Sequence, residues 1–124
     1  MSEAPEVEKK VQVPTGLYRH CLGCKALMLT HELEENQWVC SRCGHHHRLS
    51  AAQRLDMLFD GPWTRHDADV TSGDPLEFTD TQAYPQRLDR YRKKTGNQAA
   101  YVAGAGEIGG YSVQAGSFDF CFMG

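Results

Sequence analysis

The sequence predicts an α+β chain in two parts: a small front unit organised by four cysteines, then a helix leading into a second helix and a β-hairpin. Three observations carry this expectation. Cys21, Cys24, Cys40 and Cys43 form two identical C-x-x-C pairs. Two segments, one opening at Ser50 and one near Pro85, set apolar residues at helical spacing between start and stop signals. The last stretch alternates apolar and polar residues around Gly109-Gly110, the pattern of strands joined by a tight turn.

The chain's 124 residues, 40% hydrophobic and 23% charged, suit one ordinary domain or two small ones and exclude a fibre or a fully disordered chain. A formal net charge of -3 gives no bulk basicity that would call for nucleic acid. The opening MSEAPEVEKKVQVPTG has no apolar run and no small-residue cleavage site, and no apolar stretch reaches the ~18 residues of a membrane span. The expectation is a flexible tail over residues 1–16 on a cytoplasmic chain without a membrane partner. In a reducing compartment, cysteines stay as thiols or metal ligands rather than disulfides.

The front unit is expected over residues 17–48. Fifteen residues separate the two pairs, giving C-x2-C-x15-C-x2-C, a spacing inside the zinc-ribbon window. Two residues between cysteines let a tight turn aim both sulfurs at one point. Gly23 and Gly44 sit where such knuckles need positive φ or close backbone approach. Four soft thiolates favour tetrahedral Zn²⁺ and leave no open position for water, so one structural ion per chain is expected, held by Cys21, Cys24, Cys40 and Cys43. Such an ion can contribute on the order of 10–16 kcal/mol to folding a unit too small for its own core. Two redox C-x-x-C pairs, four unrelated buried thiols, or iron in the same site are the competing readings. The intervening KALMLTHELEENQWV is expected to form a short hairpin turning near Glu35-Asn36. His45, His46 and His47, like His20 and His31, are not needed as ligands and read as shaping and solvating the unit. Cys121, amid FDFCFMG, reads as a small buried hydrophobe.

Residues 49–124 read as the start of a second domain. Ser50 with Gln53 forms a capping-box pair, Leu55, Leu58 and Phe59 share one face, and Gly61-Pro62 stops the helix. The acidic, turn-rich residues 65–80 read as a connection. In YPQRLDRYRKKTG, Pro85 marks a helix start, Tyr84, Leu88 and Tyr91 line one face, and Gly96 ends it. The other face carries Arg87, Arg90, Arg92, Lys93 and Lys94 against Asp89, a solvated surface or an attractor for phosphate or an acidic partner. Gly104, Gly106 and Gly109 spell G-x-G-x-x-G, but the residues after them have strand character, so nucleotide binding is not expected there. Tyr111 and Val113, then Phe118, Phe120 and Phe122, alternate as one last strand. That strand ends the chain without a cap, and the hairpin is expected to be a sheet cut short.

The strings CLGC and HELEENQWVCSRCGHHHRLSAAQRLDML, then LEFTDTQAYPQRLDRYRKKTG, then GSFDFCFMG, resemble the N-terminal part of the carboxyltransferase beta subunit of bacterial and plastid-type acetyl-CoA carboxylase, over roughly residues 18–124. The resemblance implies a zinc ribbon ahead of a crotonase-like α/β carboxyltransferase domain, incomplete here at its C-terminus. It also implies an alpha2beta2 heterotetramer with the carboxyltransferase alpha subunit, served by the biotin carboxyl carrier protein and by biotin carboxylase, which consumes ATP. Such a complex passes the carboxyl group from carboxybiotin to acetyl-CoA, giving malonyl-CoA for fatty acid synthesis. The four cysteines carry over as metal ligands. No catalytic and no CoA- or biotin-binding residue does, because the family's oxyanion-stabilising glycine turns lie beyond Gly124. The alternative is a stand-alone zinc-ribbon module for nucleic acid or protein, with Arg19, Lys25, Arg42 and Arg48 making the metal end basic and Glu32, Glu34 and Glu35 mid-loop.

Overall fold

The computed structural model describes residues 15–124, an α+β arrangement with two small antiparallel sheets. Most of the tail expected over 1–16 lies outside the described residues. The chain divides between His47 and Arg48 into two compact units.

In the front unit, β1 (Tyr18–His20) pairs antiparallel with β2 (Leu27–Leu29), with Arg19 opposite Met28. The first C-x-x-C is the turn of this hairpin. The second is the turn of an equivalent reversal, in which Val39 bridges His46. Between them lies a helix, α1 (Thr30–Glu35), not the hairpin expected with its turn near Glu35-Asn36. The run Leu33-Glu34-Glu35 consists of good helix formers, and the turn of helix buries Leu33 completely. Chain reversal falls to the knuckles instead. After the helix, Asn36 donates from Nδ2 to the Val39 carbonyl at 2.6 Å, and Gln37 and Trp38 adopt φ of 54° and 62°. Met28, Leu33 and Trp38 are buried along with Cys21 and Cys40, a small core that includes two of the four sulfurs.

The second unit opens with α2 (Ala51–Leu58). Its capping box forms as expected: Gln53 N–H donates to Ser50 Oγ at 3.2 Å, and Ser50 N–H donates to Gln53 Oε1 at 2.9 Å. Leu55 and Phe59 enter the core, but Leu58 is exposed; Ala51 takes its place, because the buried row runs i, i+4, i+8. Ala51, Leu55, Phe59 and Val102 form the core, with Trp63, Ile108, Val113 and Ala115 packed against it.

The sheet has three strands in the order β3-β4-β5: β3 (Thr64–His66), β4 (Tyr101–Ile108) and β5 (Tyr111–Phe118). Part of the expected 65–80 connection is therefore strand, with Thr64 opposite Ala105 and His66 opposite Ala103. Three residues are too few to show a period. Gly109 and Gly110, at φ 58° and 81°, make the expected two-residue turn. The Asp60 carboxylate accepts from the Gly109 N–H at 2.6 Å and pins that turn. Gly104 and Gly106 lie within β4 rather than at a helix opening, and a Cβ on Gly106 would sit 2.6 Å from the Phe59 ring. These glycines make room for aromatic rings, not for a phosphate.

Helix α3 (Tyr84–Thr95) starts with Pro85 in its first turn and ends on Gly96 at φ 73°, both as expected. Leu88 is buried, and the Tyr91 ring lies 6.0 Å from that of Phe122. The last strand stops at Phe118, so Phe120 and Phe122 are not strand residues. Asp119 is the reason. It is buried, its carboxylate accepts from the Cys121 N–H at 2.9 Å and from Asn97 Nδ2 at 3.1 Å, and its carbonyl accepts from the Phe122 N–H at 2.9 Å. This side-chain turn leaves Phe120 exposed, folds Phe122 into the protein, and leaves Cys121 only half-buried.

Candidate metal centre

The two knuckles repeat one backbone design. Lys25 N–H donates to the Cys21 carbonyl at 3.0 Å, and Gly44 N–H donates to the Cys40 carbonyl at 2.8 Å. Across each loop, Cys21 N–H donates to Ala26 O and Cys40 N–H to His45 O, both at 2.9 Å. The residue after the second cysteine is left-handed in both, Lys25 at φ 62° and Gly44 at φ 71°. Gly44 thus serves the conformation, whereas Gly23 serves space: a Cβ there would lie 3.0 Å from His45 Cβ and 3.2 Å from Cys43 Sγ. The strained Lys25 was invisible in the sequence, because nothing but the fold asks a lysine to take a glycine's conformation.

All four Sγ atoms lie within 4.8 Å of one another. Cys21 and Cys43 approach to 3.6 Å, Cys24 and Cys40 to 3.8 Å. A tetrahedron with sulfurs about 2.3 Å from its centre has edges of about 3.8 Å, so the cage has the size a tetrathiolate ion needs. The Gly23 N–H donates to Cys21 Sγ at 3.3 Å, the kind of bond that favours a thiolate. Met28 Sδ lies 3.4 Å from Cys40 Sγ on the buried side, a contact that no spacing rule announces.

Charge makes the same demand. The Cys24 N–H, followed by the Gly23 N–H and the Cys40 and Cys43 thiols, lowers the Cys21 thiol to about 5. Although the His45 N–H draws Cys43 down, desolvation and the thiols of Cys21, Cys40 and Cys24 push it up to about 11. Cys21 thus ionises readily, while Cys43 across the cluster holds its proton more tightly. Four thiolates at this spacing require a cation among them. The four cysteines can therefore hold a metal ion, and every donor of the cluster is used.

The histidines stand outside this cluster. His45 and His47 pack edge to face at 5.1 Å, His47 N–H donates to the Trp38 carbonyl at 2.9 Å, and His31 pairs with Glu35 on the surface at 3.6 Å. Of the cations expected to make this end basic, Arg19 lies over the Trp38 ring at 5.2 Å and Lys25 Nζ donates to the Leu22 carbonyl at 3.1 Å. Four of the five cations on the basic face of α3 are likewise engaged. Arg87 grips Asp80 through 2.6 and 2.8 Å bonds, Arg92 donates to the Gln98 and Ser72 carbonyls, and Arg90 and Lys94 flank the Tyr91 ring. Among the described residues, no helix is long and apolar enough to cross a membrane.

No family model matches the chain. Curated proteins do. A Pelobacter propionicus protein is 44% identical over 117 residues, covering 94% of this chain and 41% of the relative. An Acaryochloris marina protein is 40% identical over 114 residues, covering 91% and 38%. A chloroplastic protein of Marchantia polymorpha is 34% identical over 116 residues, covering 93% and 37%. All three are named acetyl-coenzyme A carboxylase carboxyl transferase subunit beta. Over that length, this chain is similar to all three. It spans about two fifths of the length of these beta subunits. The aligned length takes in both the four-cysteine unit and the three-stranded unit.

Proposed function

We propose that the chain serves as part of the carboxyltransferase beta subunit of acetyl-CoA carboxylase, acting with the alpha subunit in an alpha2beta2 assembly. In that assembly the carboxyl group of carboxybiotin, carried by the biotin carboxyl carrier protein and charged by biotin carboxylase, passes to acetyl-CoA to give malonyl-CoA. The observation that carries this reading is the 44% identity over 117 residues to a protein of that name. The setting is the cytoplasm, where thiols stay reduced. Residues 17–48 act as a zinc ribbon, with Cys21, Cys24, Cys40 and Cys43 holding one structural Zn²⁺. Residues 49–124 act as the opening of a crotonase-like domain, behind a tail at 1–16.

This chain's residues contribute scaffold rather than chemistry. The thiolates lock two hairpins together, α2 and the sheet build a core, and Asp119 shapes the turn leading to Gly124. No residue is assigned to enolate or oxyanion stabilisation. The test is co-expression of the chain with an alpha subunit of the family, scoring co-purification, zinc content and malonyl-CoA-dependent carboxyl exchange. Co-purification with one zinc per chain and no exchange is expected. Failure to bind alpha, with retention of nucleic acid that is lost steeply as salt rises, would transfer the assignment to a stand-alone ribbon module.

A further inference from the structure

We propose that the four-cysteine centre oxidises across its knuckles, Cys21 to Cys43 and Cys24 to Cys40, so that the metal and a pair of disulfides are interchangeable clasps of one fold. This rests on the reading of the cysteines as a metal centre.

Each knuckle exposes one cysteine and hides the other. Cys24 and Cys43 are exposed, whereas Cys21 is 0% and Cys40 1% exposed. An oxidant arriving from solvent therefore meets Cys24 or Cys43 first. The close sulfur contact of each exposed cysteine runs to the buried cysteine of the opposite knuckle, at 3.6 Å for Cys43 with Cys21 and 3.8 Å for Cys24 with Cys40. Closing either to a bond of about 2.05 Å asks for less than about 2 Å of sulfur movement. Pairing within a knuckle works against the loop's own hydrogen bonds. The N–H of Gly23 holds Cys21 Sγ toward the shared centre, and the carbonyl-to-amide bonds of each loop fix its shape.

Hydrogen peroxide is a sufficient oxidant. The exposed Cys43 sulfur, as the thiolate that a bound ion would keep deprotonated, attacks one peroxide oxygen, the O–O bond breaks, hydroxide leaves, and Cys43 becomes a sulfenic acid. The Cys21 thiolate attacks that sulfur, the S–O bond breaks, a second hydroxide leaves, and the disulfide forms. One peroxide thus takes two electrons from two thiolates. Cys24 and Cys40 consume a second, after which no thiolate would remain to hold a divalent ion. A dithiol reductant restores all four thiolates. Because both disulfides join the hairpins that the metal joins, the front unit keeps its shape. The centre itself changes from a net charge of about −2 as a tetrathiolate–zinc group to neutral, directly beside Lys25 and Arg42.

The test uses the zinc-loaded 124-residue chain carrying Cys121→Ser, which removes the one thiol outside the centre. Two equivalents of peroxide should release one equivalent of zinc to a chromogenic chelator. Cleavage after Leu22, Lys25 and Arg42 separates all four cysteines, so mass spectrometry without reduction reads the pairing directly. Cys21–Cys43 and Cys24–Cys40 links are expected, with amide NMR dispersion of the front unit retained and zinc rebinding after dithiothreitol. Links within the knuckles, links between chains, sulfinic acids without disulfides, or collapse of the dispersion on oxidation would each overturn the inference. A reduced chain that binds no zinc at the outset would instead sink the metal-centre reading on which it stands.

Discussion

Arg87 holds Asp80 with both oxygens of the carboxylate, and the Gln82 N–H adds a third bond at 3.0 Å. The Gln82 N–H and then the Arg87 guanidinium lower this carboxyl from 3.8 to about 2. A folded-state value below the unfolded one means that the contribution is present above the ordinary carboxylate range and is lost as pH falls from about 4 through about 2. Asp80→Asn should therefore lower stability at neutral pH, and the gap to the wild type, read by urea denaturation, should close toward pH 2. A gap independent of pH would mean the charge is not what the arginine holds. Asp119 acts at the same scale with a larger structural effect, since one carboxylate ends a strand that the alternation Phe118, Phe120, Phe122 would continue. Period-two reading sees hydrophobic spacing but not an aspartate turning back onto the amide two residues ahead.

At the scale of elements, what could be read from the sequence was what is encoded locally. The cap of α2 lies within four consecutive residues, Ser50 to Gln53, and forms as written. The Gly109-Gly110 turn and the Pro85-to-Gly96 limits of α3 are equally local. α1 and β3 were not legible because six residues and three residues are too short to establish a period, and β3 also depends on a partner distant in sequence. For β3 that partner is β4, about forty residues on. The four-cysteine cluster was legible from spacing alone, while the left-handed Lys25 and the Met28 contact belong to the folded backbone. The cap gives a direct test. Ser50→Ala should cost about 1 kcal/mol, and Ser50→Gly only a few tenths, seen as a lower urea midpoint at unchanged slope. Equal losses for the two substitutions would mean that the hydroxyl's hydrogen bond to the Gln53 amide is not the source.

Across the whole molecule, the two units draw stability from different sources. The second unit has a continuous apolar core of helix on sheet, around Leu55, Phe59 and Val102. The first buries Met28, Leu33 and Trp38, and completes its core with two cysteines. Such a core is too small to offset the entropy of ordering some thirty residues, and the shortfall is what an ion bound by thiolates can supply. A strong chelator should therefore unfold the front unit and leave the second intact. The chain carries its own reporters for this, because its two tryptophans, Trp38 and Trp63, fall one in each unit. Trp38 is buried in the front core, and Trp63 donates to the Asp56 carboxylate at 2.7 Å beside the Phe59 ring. In a Trp63→Phe protein the remaining Trp38 emission should shift to the red on chelation and return when Zn²⁺ is restored. In a Trp38→Phe protein the Trp63 emission should stay where it is. If both tryptophans move together, the units fold as one and the metal stabilises the whole chain; if neither moves, the cysteines are not what gives the front unit its shape.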